Sequence, residues 1–94
     1  PESEETLSEM AKYLLINPKI QVYIVGHTDN TGSLEHNQQL SERRAQAVVQ
    51  TLTTTYRVPA AQLSAYGVAS LSPVSTNSSE EGKGKNRRVE MVLK

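Results

Sequence analysis

Ile20-Gln21-Val22-Tyr23-Ile24-Val25 runs without a break into Gly26-His27-Thr28-Asp29-Asn30-Thr31-Gly32, and from Leu34 to about Thr55 the apolar residues return at helical spacing. The first segment is β-branched and aromatic, with Ile20, Val22 and Ile24 on one face and Tyr23 and Val25 on the other, which predicts an interior strand. The second is a polar loop bracketed by glycines. Strand, polar loop and long helix make half of a β-α-β unit.

Upstream, Leu7, Met10, Ala11, Leu14 and Leu15 fall at i, i+3, i+4, i+7 and i+8, so a first helix precedes the strand and turns one apolar face to it. Thr6 and Glu9 fit a capping box, with Ser3 as a competing cap, and Glu2, Glu4 and Glu5 suit the positive end of the helix dipole. The helix should stop near Asn17-Pro18. Downstream, Tyr56-Arg57-Val58-Pro59 breaks the long helix, a short turn runs from Pro59 to Leu63, and Leu63-Ser64-Ala65-Tyr66-Gly67 is a second strand. A helix between two strands implies a right-handed parallel crossover. Residues 68 to 88, rich in Ser, Gly and Lys around Pro73, form a long loop with room for a short helix from Ser78 or Ser79. Val89-Glu90-Met91-Val92-Leu93 alternates and closes as a strand. The expected fold is an α/β sandwich with helices packed on a small mixed sheet, the strands after the helices parallel and the last antiparallel to them. All 94 residues form one domain.

Composition removes whole classes of function. No stretch approaches the ~18 apolar residues of a membrane helix. The absence of Cys excludes a disulfide scaffold, thiolate catalysis and a cysteine-based zinc site. With neither Phe nor Trp and only four Tyr, base-stacking on nucleic acid is excluded too. No signal peptide or lipidation cysteine is visible, so the chain is either cytosolic or a piece of a longer exported protein. The formal net charge of zero is a cancellation: residues 1 to 42 carry seven acids and two bases, residues 43 to 94 eight bases and three acids, or −5 against +5. Such segregation arises from one acidic helix and one basic tail, or serves a ligand carrying both signs.

The stripe of the long helix that carries Val48 and Leu52 runs back through Arg44, Leu40 and Asn37, which places Arg44 inward and Arg43 toward solvent. An arginine at the edge of a core needs a partner, and Asp29 is the sole acid of the nearby polar loop. Either the two form a salt bridge that pins loop to helix, or they are held apart for a ligand with an ammonium and a carboxylate. A neutral pair of charges suits a zwitterion, and the carboxyl ends of parallel strands are where such sheets bind ligands. Other chemistries are poorly provided for. His27, Asp29 and His36 lack the spacing of a metal site, and His27 is expected to hydrogen-bond within its loop. Asp29, Thr31 and Ser33 echo a calcium loop whose twelfth position, Leu40, is no ligand. Ser41 and Ser64 lack a nucleophile-elbow context, and Asp29 lacks a carboxylate partner. The run Lys83-Gly84-Lys85-Asn86-Arg87-Arg88 has the charge to grip phosphates, but it is offset by Glu80, Glu81 and Glu90, and a solvated loop before a strand is the better reading of the lysines.

Gly26-His27-Thr28-Asp29-Asn30-Thr31-Gly32, Asn37, Leu40-Ser41-Glu42-Arg43-Arg44-Ala45, Gly67, Asn77, Gly82 and Asn86-Arg87-Arg88-Val89-Glu90, in this order, resemble the OmpA-like C-terminal domain, a peptidoglycan-binding module of bacterial envelope proteins such as porins, lipoproteins and flagellar stators. The resemblance spans nearly the whole chain. It implies noncovalent anchoring of an envelope protein to the cell wall, in the periplasm of a Gram-negative bacterium, with no catalysis, no cofactor, no metal, no nucleic acid and no membrane insertion by this segment. It also implies that Asp29 takes the ammonium and Arg44 the carboxylate of diaminopimelate in the stem peptide, that Thr28, Asn37 and Arg87 line the same pocket, and that Arg88 is structural. An envelope protein–protein adaptor or oligomerisation domain is the alternative use of this fold. The family's first strand is missing ahead of Pro1, which would leave an unpaired sheet edge and favour a homodimer through it. Gly67-Val68-Ala69-Ser70 departs from the family's usual Gly-Tyr-Gly-Glu-like run, and Lys83 stands where arginine is common.

Overall fold

The computed structural model describes residues 3–71 and 77–94. In chain order the elements are α1 (Glu4–Ile16), β1 (Val22–Gly26), α2 (Leu34–Thr54), a single 3₁₀ turn (Ala60–Gln62), β2 (Leu63–Gly67), α3 (Glu80–Asn86) and β3 (Val89–Leu93). The stretch around Pro73 lies outside the described residues.

Helix α1 starts one turn earlier than the capping-box expectation. Ser3 is its cap, with extended backbone and a hydroxyl that accepts the Thr6 N–H at 3.1 Å. This brings Glu4 and Glu5 into the first turn, where their charge meets the positive end of the dipole. Ala11 and Leu14 are buried, whereas Leu15, at the edge of the stripe, is 49% exposed. Strand β1 begins two residues later than expected because the Ile20 N–H turns back to the Asn17 carbonyl. Gln62, at the end of the 3₁₀ turn, locks this connection: its buried amide nitrogen reaches the carbonyls of Leu14, Asn17 and Ile20, each at 3.0 Å.

The sheet order is β2-β1-β3, with β1 central, parallel to β2 and antiparallel to β3. Gly26 lies opposite Gly67 on one side and Val89 on the other. The helices cover one face, where Val22 and Ile24 pack with Leu14, Val48, Leu52, Leu63 and Val89. On the opposite face Tyr23 and Tyr66 form an edge-on pair with centroids 5.2 Å apart, and Lys94 lies over the Tyr23 ring. Interior in order, β1 is thus covered by helices on one face only among the described residues.

The buried line of α2 differs from the expected stripe. It runs through Asn37, Ser41, Ala45, Val48 and Leu52, leaving Leu40 and Arg44 half-buried on its flank. The reason lies in the strand ends. A Cβ at Gly26 would strike the Ser41 carbonyl, and one at Gly67 would strike the Ser41 hydroxyl and the Glu42 N–H. Paired glycines let the helix backbone approach so closely that only small side chains fit beneath it. Arg43 is exposed, as the register requires. Among the described residues no helix is long and apolar enough to cross a membrane.

Candidate functional site

The loop after β1 is tied down by its main chain before its side chains act. Its first N–H groups, those of His27 and Thr28, go to the carbonyls of Arg88 and Ala69 at 2.7 and 2.8 Å, so the loop lies between the entry to β3 and the exit from β2. Ala69, buried and at φ 51, has its own N–H on the Ser41 hydroxyl. Gly32, at φ 87, turns the chain so that Ser33 caps α2 by accepting the His36 N–H. Glycine supplies the turn and serine the cap, and Asp29 lies in the stretch ahead of them.

Asp29 is the centre of this loop and only 6% exposed. One carboxylate oxygen accepts the Thr31 N–H at 2.9 Å, an Asx turn, and the other accepts from Arg87 Nη1. Burial pushes the carboxyl up, but the Thr31 N–H and the Arg87 guanidinium outweigh it and hold the group below its ordinary value. Asn37, buried at the start of α2, donates from its amide to the Asp29 carbonyl at 3.3 Å. Thr28 is 2% exposed, and its hydroxyl has no partner among the described residues. Arg44 donates to the His27 carbonyl at 3.2 Å. All five residues expected at the site therefore surround one loop.

Of the two arrangements open from spacing, a direct Asp29–Arg44 salt bridge does not form. Arg44 is held by a main-chain oxygen and Asp29 by Arg87, whose side chain is 41% exposed. Arg44, Arg87 and Arg88 line a cleft of about 510 Å³ together with Leu7, Val48 and Val89. Arg88 is turned to Glu90, its Nη2 at 2.8 Å from Oε1. The same carboxylate oxygen lies 2.9 Å from His27 Nε2, so His27 also reaches across to β3. It does so because β3 runs antiparallel beside β1 and carries Glu90 alongside the loop. Among the described residues no three His, Cys, Asp or Glu side chains gather as a metal site.

Two contributors escape the stripe argument. Ser41 is fully buried, donates to the Gln38 carbonyl and accepts the Ala69 N–H, joining α2 to the loop after β2. Gln38 donates to the Gly67 carbonyl at 2.6 Å. The signal for both was the glycine closing each parallel strand, which marks a close helix approach. Asn86, wholly buried, donates to the Asn77 side-chain oxygen at 2.9 Å and fixes the end of α3 from which Arg87 extends.

The model of the OmpA family matches residues 1–87. The chain is 39% identical over 93 residues to a probable lipoprotein, YiaD, of Escherichia coli, covering 99% of this chain and 42% of that protein. It is also 39% identical over 93 residues to the peptidoglycan-binding protein ArfA of Mycobacterium tuberculosis, covering 99% of this chain and 28% of that one. It therefore spans less than half the length of either relative. Among solved structures, the peptidoglycan-associated lipoprotein of Burkholderia pseudomallei superposes with a TM-score of 0.86 at 33% identity, over 94% of this chain and 74% of that one.

Proposed function

Because the chain belongs to the OmpA family, we propose that it binds peptidoglycan noncovalently and so ties a bacterial envelope protein to the cell wall from the periplasmic side. The group recognised is the zwitterionic end of diaminopimelate in the stem peptide. Its ammonium goes to Asp29 and its carboxylate to Arg44, with Thr28, Asn37 and Arg87 around them. The similarity to a peptidoglycan-binding protein and to a peptidoglycan-associated lipoprotein supports the polymer as ligand. The observation that carries the choice of group is that Asp29, in the loop, and Arg44, beside it on α2, do not bond to each other, Arg44 resting on an uncharged carbonyl.

That arrangement favours a zwitterion on elementary grounds. Each end of the ligand gains a charge-assisted hydrogen bond, and the added ligand brings no net charge to a low-dielectric place. Asn37 fixes the main chain beneath Asp29, and the Thr28 hydroxyl is buried beside it with no partner among the described residues. Binding consists of charge pairing and hydrogen bonding, with no bond made or broken.

Calorimetric titration with a diaminopimelate-containing muropeptide tests this. Asp29→Ala and Arg44→Ala each strand the opposite ligand charge and should cost about 2–5 kcal/mol, roughly thirtyfold or more in Kd. Arg43→Ala, on the exposed face, should change nothing. Undiminished affinity in Asp29→Ala would overturn the site, and failure of the wild-type chain to sediment with isolated sacculi would favour the adaptor role.

A further inference from the structure

Building on the diaminopimelate assignment, we propose that Arg87 is a displaceable cation already seated in the ammonium place on Asp29, and that it makes the site select side chains bearing both an ammonium and a carboxylate over those bearing an ammonium alone. Both carboxylate oxygens of Asp29 are engaged, one by the Thr31 N–H and the other by Arg87. The Asp29 side chain is 8% exposed and that of Arg87 is 41% exposed, so the solvent side of the pair is the guanidinium. An incoming ammonium takes the oxygen that Arg87 holds. The Thr31 bond belongs to the loop's own turn and stays.

The displaced guanidinium has a place to go. Arg87 lines the cleft of about 510 Å³ together with Arg44. Gly84, one turn back on α3, offers no side chain there, and a Cβ on it would approach Arg87 Nη2 to 3.4 Å. Release moves the guanidinium toward Arg44, where a ligand carboxylate can be held by both. Charge pairing then decides selectivity. A lysine side chain replaces one cation by another on Asp29 and leaves the arginine without an acid. A diaminopimelate side chain returns an acid to it, so two charge-assisted pairs stand where there was one. Arg88 cannot stand in, because Glu90 holds its Nε and Nη2 at 3.0 and 2.8 Å.

The test compares two synthetic stem pentapeptides that differ only in the third residue, meso-diaminopimelate or lysine, by calorimetry on the full chain. Wild type should bind the lysine peptide about tenfold or more weakly. In Arg87→Gln, affinity for the lysine peptide should rise while that for the diaminopimelate peptide falls, narrowing the ratio about fivefold or more. A mere structural role would lower both together, and equal losses overturn the proposal. A second measurement needs no variant: the ¹⁵N guanidinium signals of Arg87 should shift when wild type is saturated with the diaminopimelate peptide, and unshifted signals overturn it as well. If wild type binds neither peptide, the diaminopimelate assignment itself fails. If it binds both equally, that assignment can stand while the role of Arg87 falls.

Discussion

Gly26→Ala is the substitution that most directly tests how the fold makes the site. The alanine Cβ would lie 2.9 Å from the Ser41 carbonyl carbon and 3.3 Å from its Cα, and closer still to the carbonyl oxygen. Comfortable contacts of this kind lie at about 3.5–4.0 Å. All three obstructing atoms are backbone, so no rotamer change relieves the overlap, and α2 must lift from the sheet or β1 must buckle. Either motion loosens Ala45, Val48 and Leu52 against Val22 and Ile24, all of them buried. Overpacking costs about 1–3 kcal/mol, and a backbone obstruction belongs at the top of that range. For a chain of this size, 2–3 kcal/mol lowers Tm by about 10–20 °C. Because α2 carries Arg44 and Asn37, affinity for the muropeptide should fall in the same variant. Gly84→Ala is the control: its Cβ meets only the tip of a flexible arginine at 3.4 Å, and alanine favours a helix. The assay is thermal unfolding followed by circular dichroism, with titration of the folded protein. A Gly26→Ala chain that melts within 2 °C of wild type, by that roughly 2–3 kcal/mol expectation, or no lower than Gly84→Ala, would refute the close-approach argument.

Two further outcomes follow from buried polar groups. Asp29 lies below its ordinary value of 3.8 in the folded chain, so between the folded and unfolded pKa the unfolded chain binds more protons and stability rises with pH. Its contribution is complete above the unfolded value and fades as pH falls through the folded one. Urea unfolding between about pH 2 and pH 5 should therefore show a shallower pH dependence in Asp29→Asn than in wild type, and parallel curves would contradict this. Gln62→Leu keeps the side-chain volume but strips the donor from the Leu14, Asn17 and Ile20 carbonyls. It should cost about 2–3 kcal/mol, read as a lower urea midpoint at unchanged slope.

Much of the fold was legible because its signals are local. The Pro59 turn and the closing glycine bound Leu63–Gly67, and alternation bounds Val89–Leu93, both where the structure has them, and α2 ends one residue short of the expected stop. Helix α3 begins after Ser79, one of the two starts expected. Local signals also misled where two of them competed. Ser3 and Thr6 both suit an N-cap, and the choice depends on which lets the acids reach the first turn. The stripe on α2 was misplaced because hydrophobicity marks what is buried only where there is room for a large side chain. At Ser41 and Ala45 the strands come too close, and the smallest residues occupy the deepest positions.

The site was legible in its membership and not in its pairing, and the antiparallel register explains the difference. Helical periodicity gives the direction of Arg44 but not the distance it must cross, and the guanidinium stops at the His27 carbonyl, short of Asp29. The partner of Asp29 comes from 58 residues away. In the register of β1 with β3, Gly26 faces Val89. Continued past the strand, it sets Arg88 against His27 and Arg87 against Thr28, beside Asp29. The His27 N–H on the Arg88 carbonyl at 2.7 Å is the first step of that continuation. Alternation alone cannot supply this, because a slip of one residue reverses every side chain of a strand, and register is set by what the strand buries. Here the buried Val89, a member of the core cluster and opposite a glycine, is the residue that sets it. Once Val89 is placed, Glu90 must face away from the helices toward His27, and the two arginines ahead of it divide, one to Glu90 and one to Asp29. The ion pair at the centre of the site is thus a consequence of how one valine packs in the core.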